Sequence, residues 1–193
     1  MSLNKKFFNS FLELKNIYSL AAIAMLLALR IVLGFFANGT LAFFGNNVKL
    51  SGAFLPVAVT GVMFGPIPAA IVGALGDIIS FMINPTGTYF PGFTISGLIT
   101  GVIFGIAFYK NNVTTIRTII AWMANMLLVE TFLAAYWLYV LYGAGSGSSY
   151  MVYLVARFIS VAIKCVPEIL LLLAVGKLSA KIKLPGLVAK KRA

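Results

Sequence analysis

Residues 150–178 read YMVYLVARFISVAIKCVPEILLLLAVGKL. The run exceeds the ~20 apolar residues that cross the hydrocarbon core of a bilayer as an α-helix. Before Lys177 its only charged residues are Arg157, Lys164 and Glu168. A backbone in hydrocarbon has no water to bond, so such a run reads as helix. The same reading, carried toward the N-terminus, places further spans at 117–142, 93–109, 67–83, 50–64 and 16–36. The spans 50–64 and 67–83 are short and meet at Gly65-Pro66-Ile67-Pro68, a turn too tight to leave the protein. They are expected to form a hairpin, with room for one irregular helix. Composition agrees: of 193 residues, 61% are hydrophobic and 10% charged, against about 45–50% and about 25% in soluble domains. Mean hydropathy is +1.02. The expected fold is a single all-α integral membrane domain of six transmembrane helices, with a leader at 1–15 and a basic tail at 179–193.

Basic residues set the orientation. Lys5, Lys6 and Lys15 precede the first span, and Lys110 and Arg117 bracket the loop between the fourth and fifth. Lys177, Lys181, Lys183, Lys190, Lys191 and Arg192 close the chain. With six spans all three groups share one side, while the opposite loops at 38–48, 85–92 and 143–149 carry no charge. Both termini are therefore expected in the cytoplasm. Phe7, Phe8, Phe11 and Leu12 beside Lys5 and Lys6 read as a short amphipathic helix on the inner leaflet. A cleaved signal peptide is not expected, because the charged leader is long and Arg30 interrupts the apolar segment. No internal repeat stands out, which weakens an inverted-repeat carrier.

Several chemistries are excluded. There is no His and one Cys, Cys165. A zinc site, an internal disulfide, a His-held haem and a Ser-His-Asp triad all fall away, and no cofactor or metal is expected. The net charge of +11 raises nucleic acid as a partner. The bases, however, cluster at span ends, where they orient helices in the lipid bilayer, so nucleic acid is discounted. No G-x-x-x-x-G-K-[ST] occurs; the nearest stretch, 143–149, lacks the lysine. The chain does not hydrolyse ATP through a P-loop, so uphill movement needs an ion gradient or another subunit.

Small residues mark close helix approaches. Ala21, Ala24 and Ala28 share one face of the first span, and either another helix of the same bundle or a partner subunit fits against it. Gly97, Gly101 and Gly105 on the fourth span, with Gly65, Gly73 and Gly76 about the third, read as internal packing.

Ionisable groups at membrane depth need a partner or a cavity. Arg30 and Asp77 have compatible depths for a structural ion pair. Tyr153, Arg157, Ser160 and Lys164 are spaced four, three and four apart, which puts them on one helical face. Glu130 and Glu168 are each candidates to pair with Lys164. The alternative is a polar wall, open outward, that receives an anion, with the planar fork of Arg157 suited to a carboxylate. The uncharged outer loops are rich in rings. Phe43, Phe44, Tyr89, Phe90 and Phe93 stand beside Gly and Pro, and flat rings stack heteroaromatic ligands. Thr94, Ser96 and Asn125 offer hydrogen bonds if they face inward. These features together point to a concave outer site on the last three spans, lidded by the first two outer loops.

Gly65-Pro66, then Gly73-Ala74-Leu75-Gly76-Asp77, then Tyr89-Phe90-Pro91-Gly92-Phe93-Thr94-Ile95-Ser96 resembles the substrate-binding S component of energy-coupling factor (ECF) vitamin transporters. The Phe-Pro-Gly-Phe-Thr stretch looks like the folate branch, and Ala24 and Ala28 match the alanine motif by which such components dock. The resemblance covers nearly the whole chain. It implies a non-enzymatic protein of a bacterial plasma membrane that captures folate outside. Delivery inward would follow with a transmembrane coupling subunit and two ABC ATPases. Family members are thought to topple in the membrane, and release follows when the lid loops open. It also implies roles. Phe43, Phe44, Tyr89, Phe90 and Phe93 would stack or gate. Arg157, Lys164 and Arg30 would answer carboxylates or the pterin oxygen. Asn125, Ser96 and Glu130 would bond the pterin edge, with Tyr153 on the same wall. The residues leave open another vitamin such as riboflavin or pantothenate, a stand-alone secondary carrier, or an assembly subunit without a small ligand.

Overall fold

The computed structural model describes residues 3–39, 52–85, 88–143 and 149–181, and all regular structure among them is helical. Phe43 and Phe44 of the first outer loop, the tip of the Gly-Ser loop and most of the basic tail lie outside the described residues. The helices are α1 (Leu3–Glu13), α2 (Ile17–Gly39), α3 (Phe54–Phe64), α4 (Pro66–Ile83), α5 (Pro91–Phe108), α6 (Thr115–Gly143) and α7 (Tyr150–Lys181). Among the described residues five helices, α2 and α4 to α7, are long and apolar enough to cross a membrane. The α3 helix is apolar but has 11 residues, about 16 Å at 1.5 Å per residue.

Prolines open α4 and α5, where Pro66 and Pro91 occupy the first turn. The missing N–H of proline costs nothing there. Between α3 and α4 the chain turns on Gly65 alone, at φ 93°, a backbone region that a Cβ disfavours. Both flanking helices are regular. The irregularity expected in this pair occurs instead in α6, where Met126–Leu133 and Tyr139–Gly143 are π-helical.

The tightest packing is between α4 and α5. A Cβ on Gly73 or Gly97 would collide with the other's carbonyl. One on Gly101 would strike the Ala69 carbonyl, and one on Gly105 would strike the Pro66 backbone. A Cβ on Gly61 of α3 would sit 2.9 Å from the Gly105 amide nitrogen. The glycine rows thus pack inside the bundle, backbone against backbone. Around them lie Val57, Phe64, Ala69, Val72, Phe104 and Phe108, each almost fully buried.

The alanine face of α2 behaves differently. Ala21, Ala24 and Ala28 are all exposed, beside exposed Leu20, Met25 and Leu29, so this row does not pack into the bundle formed by the described residues. The α1 helix turns its polar side inward. Ser10 Oγ donates to the Phe64 carbonyl (2.9 Å) and accepts from the Ile67 amide (3.1 Å). Lys6 Nζ donates to the Ile106 carbonyl (2.9 Å). Burial pushes the Lys6 ammonium pKa below its ordinary value, and nearby Arg117 adds to the shift. Phe8 and Phe11 remain outward. Orphan groups near the ends of three helices are thereby satisfied by one short helix.

The α4–α5 contact sets a test. Gly97→Val is expected to destabilise the chain by about 3 kcal/mol or more, because backbone cannot yield to an added side chain as a rotamer can. Melting of the purified variant in detergent checks this against Leu98→Val on the exposed side of the same helix, which should change little.

Candidate functional site

A cavity of about 690 Å³ lies among α2 to α7, within the ~300–1,000 Å³ typical of ligand pockets. Arg30 of α2, Phe54 and Val57 of α3 and Asp77 of α4 contribute to its wall. From α5 come Phe93, Ser96, Gly97 and Thr100. The α6 helix supplies Asn125, Met126, Val129, Glu130, Ala134 and Leu138, and α7 supplies Tyr153, Ala156, Arg157, Ser160, Lys164 and Glu168. A second cavity of about 390 Å³ adjoins it toward the α4–α5 loop and includes Asn84, Thr88, Tyr89, Phe90 and Tyr142. Asp77, Phe93, Leu138 and Arg157 line both cavities.

Of the twelve ligand-contact candidates read from the sequence, Phe43 and Phe44 lie outside the described residues. Arg30, Phe93, Ser96, Asn125, Glu130, Tyr153, Arg157 and Lys164 border the larger cavity, while Tyr89 and Phe90 border the smaller. Ala21, Ala24 and Ala28 line neither.

The chain has four acidic residues, and three of them, Asp77, Glu130 and Glu168, border the larger cavity with Arg30, Arg157 and Lys164. Apolar helices otherwise face lipid, so charge at membrane depth is gathered into one place. The hydrogen bonds of Asp77 and Glu168 come from groups other than the bases expected to pair with them. Arg30 crosses Gly76, and its Nη1 donates to the carbonyls of Val72 and Gly73. Asp77 Oδ2 instead accepts from Thr94 Oγ1 (2.9 Å), which in turn accepts from the Tyr89 hydroxyl (3.0 Å). Glu168, nearly fully buried, accepts at Oε2 from Trp122 Nε1 (3.1 Å). For Arg30 and Asp77 the departure follows from the relative rotation of two helices, which a sequence does not specify; for Glu168, on the same helix as Lys164, the indole of Trp122 on α6 is the donor.

Polar and aromatic groups complete the wall. Trp137 Nε1 donates to Ser96 Oγ (3.0 Å), and its ring lies 5.4 Å from Phe90, which in turn meets Phe93 edge-on at 6.4 Å. Phe81 and Tyr89 are 5.2 Å apart. The Oδ1 of Asn125 is buried with no hydrogen-bond partner among the described residues, and the residue borders the cavity. A buried amide oxygen without a partner is costly, and a donor entering the cavity would satisfy it. Among the described residues no three Cys, Asp or Glu gather as a metal site. Asp77, Thr100, Glu168, Trp122 and Trp137 were not among the sequence candidates. The depth of Asp77 and Glu168 is a signal for them; a tryptophan in or near an apolar span carries none, since its ring has an ordinary place there.

An apolar helical bundle with charged, ring-edged cavities is the build of a membrane protein that holds a small solute. Residues 18–178 match the family described as ECF transporter, substrate-specific component, and the chain belongs to that family. The family is a transporter component and not an enzyme class. The chain is 34% identical over 143 residues to the folate transporter FolT of Clostridium novyi, covering 74% of this chain and 81% of that protein. It is 29% identical over 139 residues to FolT of Leuconostoc mesenteroides, covering 71% and 72% respectively. A crystal structure of FolT bound with folic acid superposes with a TM-score of 0.72 at 30% identity, over 88% of this chain and 96% of that one.

The chain holds two tryptophans, and each bonds a cavity residue. Filling the cavity is therefore expected to change the intrinsic fluorescence. Trp137→Phe should remove most of that change, because Trp137 bonds Ser96 of the larger cavity and its ring meets Phe90 of the smaller. A fluorescence titration of the two proteins measures it.

Proposed function

We propose that this chain is the folate-binding S component of an ECF-type importer. It takes folate from the outer side with its six helices spanning the membrane and both termini cytoplasmic. A transmembrane coupling subunit and two ABC ATPases supply the energy that the chain does not generate. The observation that carries the reading is the gathering of three acids and three bases in one cavity edged by rings.

Folate presents a flat pterin and a benzoyl ring, for which Phe90, Phe93, Tyr89 and the lid residues Phe43 and Phe44 offer stacking faces. Its two carboxylates match Arg157 and Lys164, with Arg30 answering a further oxygen. The pterin edge carries both donors and acceptors. Asn125, Glu130 and Ser96 meet these, and the unpartnered Asn125 Oδ1 gains a donor. Tyr153 adds a hydroxyl on the same wall.

Titration of the purified chain with folic acid, beside riboflavin and pantothenate, tests the assignment. Folic acid alone should raise the melting temperature; stabilisation by another vitamin with no response to folic acid rejects it. In the same assay Arg157→Ala should weaken folic acid by about 1.5–3 kcal/mol, roughly tenfold to a hundredfold, if it holds a charged partner.

Ala21, Ala24 and Ala28 form an outward small-residue row on α2, where a coupling subunit's helix can approach closely. Ala24→Trp is expected to leave folic acid binding intact and to stop uptake by the assembled transporter. Uptake that survives the bulky side chain removes the docking role from this face.

A further inference from the structure

We infer that Gly76 is a positioning residue for Arg30, and that its missing side chain opens a seat on α4 which holds the guanidinium at the cavity wall. The inference deepens the folate reading and rests on it for the choice of ligand probe.

In an α-helix each side chain leans toward the N-terminus and covers the turn before its own Cα. The residue at position 76 therefore lies over the carbonyls of Val72 and Gly73. Both carbonyls already accept bonds within α4, and their outer lone pairs are normally screened by the side chain one turn later. With glycine at 76 they are bare, and these are the two oxygens to which Arg30 Nη1 donates. A Cβ built on Gly76 would come within 2.5 Å of Arg30 Cδ, 2.6 Å of Nη1 and 2.8 Å of Nε. Its nearest neighbours are thus atoms of one flexible side chain, and not backbone as at Gly73 or Gly97.

This contrast separates Gly76 from the glycines of the α4–α5 seam. Their absence of side chain serves helix packing. That of Gly76 serves one cation, which reaches from a different helix and borders the cavity. A guanidinium anchored at one nitrogen presents the rest of its fork in a fixed plane, so less freedom is lost when a ligand oxygen arrives.

The test is a two-by-two set on the purified full chain: wild type, Gly76→Ala, Arg30→Ala and the double variant. Each is read by folic acid titration and by the melting temperature without ligand. Gly76→Ala and Arg30→Ala should each weaken folic acid by about tenfold or more, and the double variant should be no weaker than Arg30→Ala alone. Without ligand, Gly76→Ala should lower the melting temperature when Arg30 is present and not when it is alanine. Losses that multiply in the double variant overturn the seat. A Gly76→Ala penalty on melting that is the same with and without Arg30 also overturns it. If Gly76→Ala alone does not fold, recovery of folding in the double variant supports the seat and continued misfolding rejects it. A wild type that does not bind folic acid removes the folate reading, and the melting-temperature coupling then decides the seat by itself.

Discussion

Backbone contact between α4 and α5 is the constraint from which the rest of the architecture follows. Gly73 against Gly97, Gly101 against Ala69 and Gly105 against Pro66 bring two helices to a separation that no side chain allows. In lipid there is little hydrophobic drive to join helices, so close van der Waals fit has to supply it. The contact sets Asp77 one turn beyond Gly73 and puts Ser96 and Thr94 one turn or less from Gly97. The chain from Tyr89 through Thr94 to Asp77 can then close between the two helices. It also leaves α4 with a glycine-lined outer surface, across which Arg30 reaches from α2.

The second constraint is the expense of charge in hydrocarbon. Asp77, Glu130 and Glu168 each sit where hydrogen bonds, bases or a cavity answer them. The remaining acid, Glu13, lies on α1 and accepts from Ser19 Oγ at 3.2 Å. Exposed Phe158, Ile159, Val166 and Leu170 occupy the other side of α7 from Arg157 and Lys164. The same helix is thus greasy toward the lipid and ionic toward the cavity, and that division makes it a wall.

Much of this was legible in the residues because helical period carries through α7. Tyr153, Arg157, Ser160 and Lys164 share a face by spacing and share a wall in space. The apolar runs that read as spans are helices, and the glycine rows pack internally because glycines that frequent suit crowded crossings. Bonding between helices was less legible. Arg30 and Asp77 have matching depth, yet depth does not say which way each helix is turned, and Arg30 spends its Nη1 on carbonyls that only a missing side chain uncovers. The alanine row of α2 had two readings of equal local chemistry, and only its exposure separates them. Trp137 gave no sign of bonding Ser96, because a tryptophan near a span end has an ordinary place at the membrane surface.

The π-helical stretch of α6 has a consequence for how this chain can vary. The wall positions of this helix, from Asn125 and Met126 through Val129, Glu130 and Ala134 to Leu138, run through that stretch and beyond it. Widened turns of this kind carry a surplus residue relative to an ordinary coil, and they recur where function needs it. Deleting one residue between Met126 and Leu133 would let the segment relax into a regular coil. Because the widened turn already carries the surplus, residues from Ala134 onward would keep their facing, while Met126, Val129 and Glu130 would shift against the cavity. The helix can therefore absorb the loss of one residue inside this stretch, where the same loss in its regular first turns would turn every later side chain away from its place.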